Sequence, residues 1–222
     1  MRARPTVSRS SAAGFTLLEL LAVLAIIGIL AGLIFPSLSA ARQAAGRAKT
    51  KVQFSQWAAA IESFRSEYGC YPSFDATNLV NGGATTVPSG EHLFHDVLAG
   101  RKRDGSAPDA ATTVAAGSQN RKRTAFHAFA DSELTPAASA ASNLIRDAFD
   151  NLSIAVLVDR NLDGRIDGSD YASFPSVVAP DGSSLRPMPA DLPATGVRAG
   201  VLFYAPDPNA TAASPAFIFS WK

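Results

Sequence analysis

Gly14-Phe15-Thr16-Leu17-Leu18-Glu19-Leu20-Leu21-Ala22-Val23-Leu24-Ala25-Ile26-Ile27-Gly28-Ile29-Leu30-Ala31-Gly32-Leu33-Ile34-Phe35-Pro36 is the stretch that decides the fold. From Leu20 to Phe35 no residue carries a polar side chain. As a helix, residues 15–35 are about 31 Å long, which matches a bilayer hydrocarbon core of about 30 Å. A helix packed against a protein core keeps one solvated face, and this one has none, so it reads as a membrane span. The tail before it holds Arg2, Arg4 and Arg9 and no acid. Those charges keep the N-terminus cytoplasmic and send the rest of the chain across. The competing reading is a secretory signal peptide cut near Ser37-Leu38-Ser39-Ala40. The length of the apolar run opposes it, and so does Glu19, because an intramembrane carboxylate is costly and is usually there for function.

Outside this stretch the chain is ordinary and soluble in character. Its 222 residues suffice for one domain with an appendage. Twenty basic residues against 19 acidic ones give no overall electrostatic case for a nucleic-acid partner. A single cysteine, Cys70, excludes an intrachain disulfide and cysteine-based zinc sites. Pro36 predicts a kink. Gly28 and Gly32 give the small-xxx-small spacing that lets membrane helices approach closely.

The helix is expected to run on to residue 69. Arg42, Arg47, Lys49 and Lys51 form a basic collar just beyond the apolar run. Phe54, Trp57, Ala58, Ile61, Phe64 and Tyr68 then fall on one face at helical spacing, and such a face needs a covering core. Gly69 and Pro72 stop the helix. The expected fold is therefore α+β: a long N-terminal helix packed on a small antiparallel sheet in a head of residues 70–222. Glu91–Ala99 reads as a short helix, Leu152–Val158, Val201–Tyr204 and Phe217–Trp221 as strands, and 175–196 as a long loop.

Chemistry-bearing patterns in the head are few. Asp159, Asn161, Asp163, Arg165 (through its carbonyl), Asp167 and Asp170 stand at positions 1, 3, 5, 7, 9 and 12 of a calcium-type loop, with Gly164 at position 6 and Ile166 at position 8. Alternate oxygen donors on a tight loop converge on one point, so calcium is the candidate cofactor. The alternative is a hairpin that uses Asp-Gly turn chemistry. Position 12 is Asp rather than Glu, which shortens its reach. Arg101-Lys102-Arg103 and Arg121-Lys122-Arg123 lack interleaved aromatics, so they read as a solvated loop and not as a nucleic-acid site. His92 and His95, three apart, lack further metal ligands nearby. No nucleophile elbow, phosphate-binding loop or HExxH is present, so no enzyme is expected.

The run Gly14-Phe15-Thr16-Leu17-Leu18-Glu19-Leu20-Leu21 resembles the prepilin cleavage and methylation motif of type IV pilins and type II secretion pseudopilins. A short basic leader, Gly14, an apolar Phe15 and Glu19 five residues after the glycine together carry the resemblance. It implies a leader of residues 1–14 and a spine helix of residues 15–69 whose first half spans the bacterial inner membrane, with a periplasmic head. It also implies cleavage between Gly14 and Phe15, and N-methylation of Phe15, by prepilin peptidase. Glu19 then serves assembly by pairing with a neighbour's Phe15 amine. The implied partners are other pilin-like subunits, an inner-membrane assembly platform and lipid. Pilins usually close a C-terminal loop with a disulfide, which one cysteine cannot form, so the resemblance leans to a pseudopilin of a secretion system over a pilin for adhesion, motility or DNA uptake. The closing strands of secretion pseudopilins often follow an acidic calcium pair, and here that place reads Ser214-Pro215-Ala216. A membrane-anchored calcium-binding domain is the alternative from another class.

Overall fold

A computed structural model of the chain describes residues 15–74, 77–83, 91–136 and 143–222, with the backbone alone at 31 and 33–37. It divides into two units, Met1–Ala45 and Gly46–Lys222. Helix α1, Leu17–Tyr68, runs through both. Pro36 removes one backbone donor, yet the helix carries on past it as a single element instead of breaking there. At the far end Gly69 takes φ +75°, a left-handed conformation that costs glycine little, and its N–H caps the Arg65 carbonyl at 2.7 Å. The span expected at 15–35 runs into the undescribed side chains at 31 and 33–37. Among the described residues, no helix is long and apolar enough to cross a membrane.

In the second unit the amphipathic face of α1 is covered as its spacing demands. Phe54, Trp57, Ile61 and Phe64 are fully or almost fully buried, and Ala58 and Tyr68 pack at the margin. Burying each large side chain contributes about 1.5–3 kcal/mol. Strands β1 (Ala155–Val158), β4 (Val201–Pro206) and β5 (Phe217–Phe219) form an antiparallel sheet in the order β1-β4-β5, with Val156 opposite Phe203 and Ala205 opposite Ile218. The period-2 alternation of strands sends Val156, Phe203, Ala205 and Ile218 to the α1 side.

The opposite face of the sheet is also buried, which explains why these strands read as unbroken apolar runs. Ala155, Leu157, Leu202 and Tyr204 face a second cluster built from Ile166, Phe174, Val177 and Leu185. Part of that cover, Val177 and Leu185, comes from 175–196, the segment expected to be a long loop. Within it lie a two-stranded ribbon, β2 (Val177–Val178) with β3 (Ser184–Leu185), and a 3₁₀ turn at Pro189–Asp191. Two-residue strands bounded by Pro and Gly leave too little period-2 signal to be seen in sequence.

Helix α2, Leu93–Ala99, is shorter than expected because His92 caps it: its Nδ1 accepts the His95 N–H at 3.2 Å. His92 Nε2 meets Asn81 Oδ1 at 2.7 Å, and the Asn81 amide holds the Ile145 and Leu152 carbonyls at 2.8 and 2.6 Å. His95 Nδ1 meets Asp96 at 2.8 Å. The histidine pair is thus consumed by a buried structural network. Burial first, and the neighbouring His95 second, push the His92 pKa down to about 3, so it stays neutral in the fold.

Candidate functional site

The N-terminal motif begins at the edge of the described residues. Gly14 and the leader 1–14 lie outside them. Phe15 is exposed. Thr16 and Glu19 build a reciprocal cap on α1. The Glu19 carboxylate accepts from the Thr16 N–H at 3.0 Å and from its hydroxyl at 2.8 Å, and the Glu19 N–H donates to Thr16 Oγ1 at 3.2 Å. This is the capping-box arrangement, and it satisfies donors that the first turn leaves without helical partners. Thr-x-x-Glu ahead of an apolar run is the sequence signal of this cap. Chemically, the carboxylate is held one turn from the backbone nitrogen of Phe15 and has lone pairs to spare for a cation.

The basic collar is only partly free. Arg47 forks onto Asp207 at 2.6 and 3.1 Å across 160 residues of chain, and Lys51 donates to the Lys222 carbonyl. The fork holds the Asp207 carboxyl below its usual range against the opposing effect of burial. A pairing at such separation has no sequence signal. Arg42 and Lys49 remain exposed.

The loop 159–170 folds around Asp159, which is fully buried. Its carboxylate accepts the N–H groups of Asp163 at 3.2 Å and Gly164 at 2.8 Å, with Gly164 at φ +83°. Asp170 accepts from the backbone of Arg160, Asn161 and Asp167 at 2.9, 3.3 and 3.1 Å. Asn161 Nδ2 bonds Asp163 and Ser169, and the Asp163 carboxylate takes the Arg165 N–H at 2.9 Å. Asp167 turns to Ser169, whose hydroxyl and N–H hold its carboxyl below the usual range. Ile166 pairs with Val197 as an isolated bridge, which anchors the loop to the head. The carboxylates therefore meet backbone donors and neighbouring polar side chains. Among the described residues, no group of three or more His, Cys, Asp or Glu side chains is gathered to hold a metal. Arg165 Nε is buried without a hydrogen-bond partner among the described residues.

Residues 9–35 match the family model of the prokaryotic N-terminal methylation motif. This is the prepilin-type motif of pilins and pseudopilins, and the chain is pilin-like or pseudopilin-like in that general sense. The motif implies processing by prepilin peptidase, a membrane anchor and assembly with other pilin-like subunits in general. Comparison with curated proteins and with solved structures returns no match.

Proposed function

We propose that the chain is a structural pseudopilin subunit of a type II secretion filament. In this reading prepilin peptidase cuts between Gly14 and Phe15 and methylates the new amine. Residues 15–35 span the inner membrane with the head in the periplasm, and an assembly platform draws the subunit into a filament that drives protein export. The observation that carries the reading is the match at 9–35, with Glu19 placed five residues after Gly14. An amine and a carboxylate each resist burial in an apolar setting unless paired, so Glu19 of one subunit and the Phe15 amine of the next set the axial register together. The lone Cys70 favours secretion over a disulfide-closed pilin.

The test is the mature N-terminus by mass spectrometry. The expected product starts at Phe15 and carries one added methyl group, and Gly14→Val leaves the chain uncut because the peptidase needs close backbone approach. A product that starts near Ala40 returns the signal-peptide reading. Calcium at 159–170 belongs to the same proposal: Asp159, Asn161, Asp163, Asp167 and Asp170 would supply side-chain oxygens and Arg165 its carbonyl. What supports it is the donor spacing and the turn that Gly164 permits.

A further inference from the structure

The chain has three histidines, and the fold treats them differently. Both ring nitrogens of His92 are taken, by Asn81 and by the α2 terminus, and His95 Nδ1 meets Asp96. His127 is the exception. Its Nε2 is buried and makes no hydrogen bond among the described residues. A buried polar atom left in that state costs free energy and calls for an explanation. Glu133 Oε2 stands 3.4 Å away, and both side chains are only 12% exposed.

Glu133 is the hub of this corner of the head. Its Oε1 accepts the indole N–H of the fully buried Trp57 at 2.9 Å, and its Oε2 accepts the Ala130 N–H at 2.8 Å. It closes the 3₁₀ turn Asp131–Glu133, and its carbonyl accepts the Arg146 N–H at 2.8 Å. His127 hangs from α2, with its N–H on the Leu98 carbonyl at 3.0 Å. Its ring meets Phe129 edge-on at 4.5 Å, and Phe129 lies against His95 at 4.8 Å and near Trp57 and Phe94. The surface segment 126–133 is thus tied to α2 at one end and to a single carboxylate at the other, with the Trp57 end of the core beneath it.

The charge on the His127 ring decides what it offers that carboxylate. A neutral ring presents either a lone pair, which repels the oxygen, or an uncharged N–H, which the present distance and alignment leave unbonded. An imidazolium presents a charged N–H, whose bond to a carboxylate shortens to about 2.7–2.9 Å. Histidine is the side chain that makes this change between about pH 5 and 8. Burial pushes the Glu133 carboxyl up, but the His127 ring and the Ala130 and Trp57 donors more than offset it, so Glu133 sits below the usual range and stays ionised throughout that window. The other charged groups around the pair are Asp131 in the same turn, His95 and Asp96 behind Phe129 on α2, and Lys49 and Asp147 across the cavity that Glu133 lines.

We infer that segment 126–133 is a pH-sensitive strap: His127 closes on Glu133 when it takes up a proton from solvent and seats Phe129 over Trp57, and it lets go when it returns that proton. The strap belongs to the head and holds whether or not the filament reading does.

The test follows the indole N–H signals of the two tryptophans by NMR, from pH 5 to 8, in the isotope-labelled full-length chain in detergent micelles. Trp221→Phe assigns the Trp57 signal. The Trp57 signal should move along a one-proton curve. The Trp221 signal, whose N–H is bound to the Asp191 carbonyl, should stay in place. Amide protection over 126–130, corrected for intrinsic exchange, should fall about fivefold between pH 5.5 and 8. His127→Gln should leave the Trp57 signal flat. Glu133→Gln keeps an acceptor for Trp57 but no charge, and should flatten it too. An unmoved Trp221 signal shows that each variant is folded, and if one fails to fold the other decides. A flat Trp57 signal in the unmodified chain, a curve that survives either substitution, or protection that does not change with pH overturns the strap.

Discussion

One helix serves two environments. Along Leu17–Leu30 the large side chains of α1 are exposed, with Leu17 and Leu18 at 80%, while from Phe54 to Phe64 the large aromatic and aliphatic ones are buried. Both stretches are apolar, so apolarity alone does not distinguish them. Spacing does. The second stretch confines its apolar residues to one face, which a single head can cover. The first is apolar on every face, and no single-sided cover suits it. Its burial must come from a surrounding medium or from several neighbours, so its residues should matter to assembly and hardly at all to the stability of the head.

The strongest way to break that contrast is at Glu19. Glu19→Ala removes a carboxylate from the apolar stretch and leaves the head untouched. Insertion and cleavage should persist, because losing a charge eases entry into the bilayer. Filament formation, scored by electron microscopy and secretion of cargo, should fall to background. The Thr16 cap is lost as well. Thr16→Ala separates the two effects: it weakens the cap but keeps the carboxylate, and should assemble. Normal filaments from Glu19→Ala would mean that the residue only caps its helix.

Two isoleucines on the same helix give the next comparison. Ile61 is fully buried in the head, and Ile61→Ala should cost about 2–5 kcal/mol in urea unfolding followed by Trp57 fluorescence. Ile27 is 55% exposed, and Ile27→Ala should change the same transition by less than about 0.5 kcal/mol. Equal costs at the two sites would show that the first stretch is held by the head after all.

The sequence was legible where one residue pattern had one solution. The face from Phe54 to Tyr68, the stop at Gly69 and the strands at 155, 201 and 217 all follow from period and breaker residues. The cover on the second sheet face did not. Val177 and Leu185 come from a Pro- and Gly-rich stretch whose elements are too short to show a period, and Ile166 and Phe174 come from outside any strand or helix. The Arg47–Asp207 fork depends on a chain separation that no local pattern encodes. At 159–170 the spacing fits both a cation loop and a self-bonded turn, because the same alternate acids can turn to backbone N–H groups or to an ion. His92, which the sequence leaves without further metal ligands nearby, has both of its nitrogens occupied by Asn81 and the α2 terminus.

That buried histidine makes the head, and not the first stretch of α1, sensitive to mild acid. In the fold His92 stays neutral down to about 3, whereas an unfolded chain takes up the proton near 6.5. Below pH 6.5 the unfolded state therefore binds a proton that the native state refuses, and stability falls as pH drops. The slope approaches about 1.4 kcal/mol per pH unit from this one group, and no loss from it occurs above pH 7. His95 and Asp96 face it on α2 and Asn81 faces it from the preceding segment. Urea midpoints between pH 6.5 and 5 follow the effect, and the comparison with a His92 variant assigns it. His92→Gln should flatten that slope. An unchanged slope would assign the acid sensitivity to other groups.

The smallest expected effect concerns the loop at 159–170, and it sharpens the contrast from the head's side. Asp159 and Asp170 accept the backbone N–H groups that shape the turn. A bound calcium then adds to a formed turn instead of creating one, and Asp at position 12 reaches less far than Glu. Affinity should accordingly be modest. Stabilisation follows RT ln(1 + [L]/Kd), about 1 kcal/mol at five times Kd. Millimolar calcium should raise the head's melting temperature by a few degrees, since about 1 kcal/mol shifts a domain of this size by roughly 2–4 °C. Magnesium should do less, because it demands a tighter octahedral site. Asp163→Ala should erase the calcium increment. The turn at Asp159 should survive, because the Asp163 and Gly164 N–H groups that shape it belong to the backbone. If calcium leaves the unmodified protein's melting curve where it was, the acids serve the turn alone, and the head carries no metal-dependent stability at that loop.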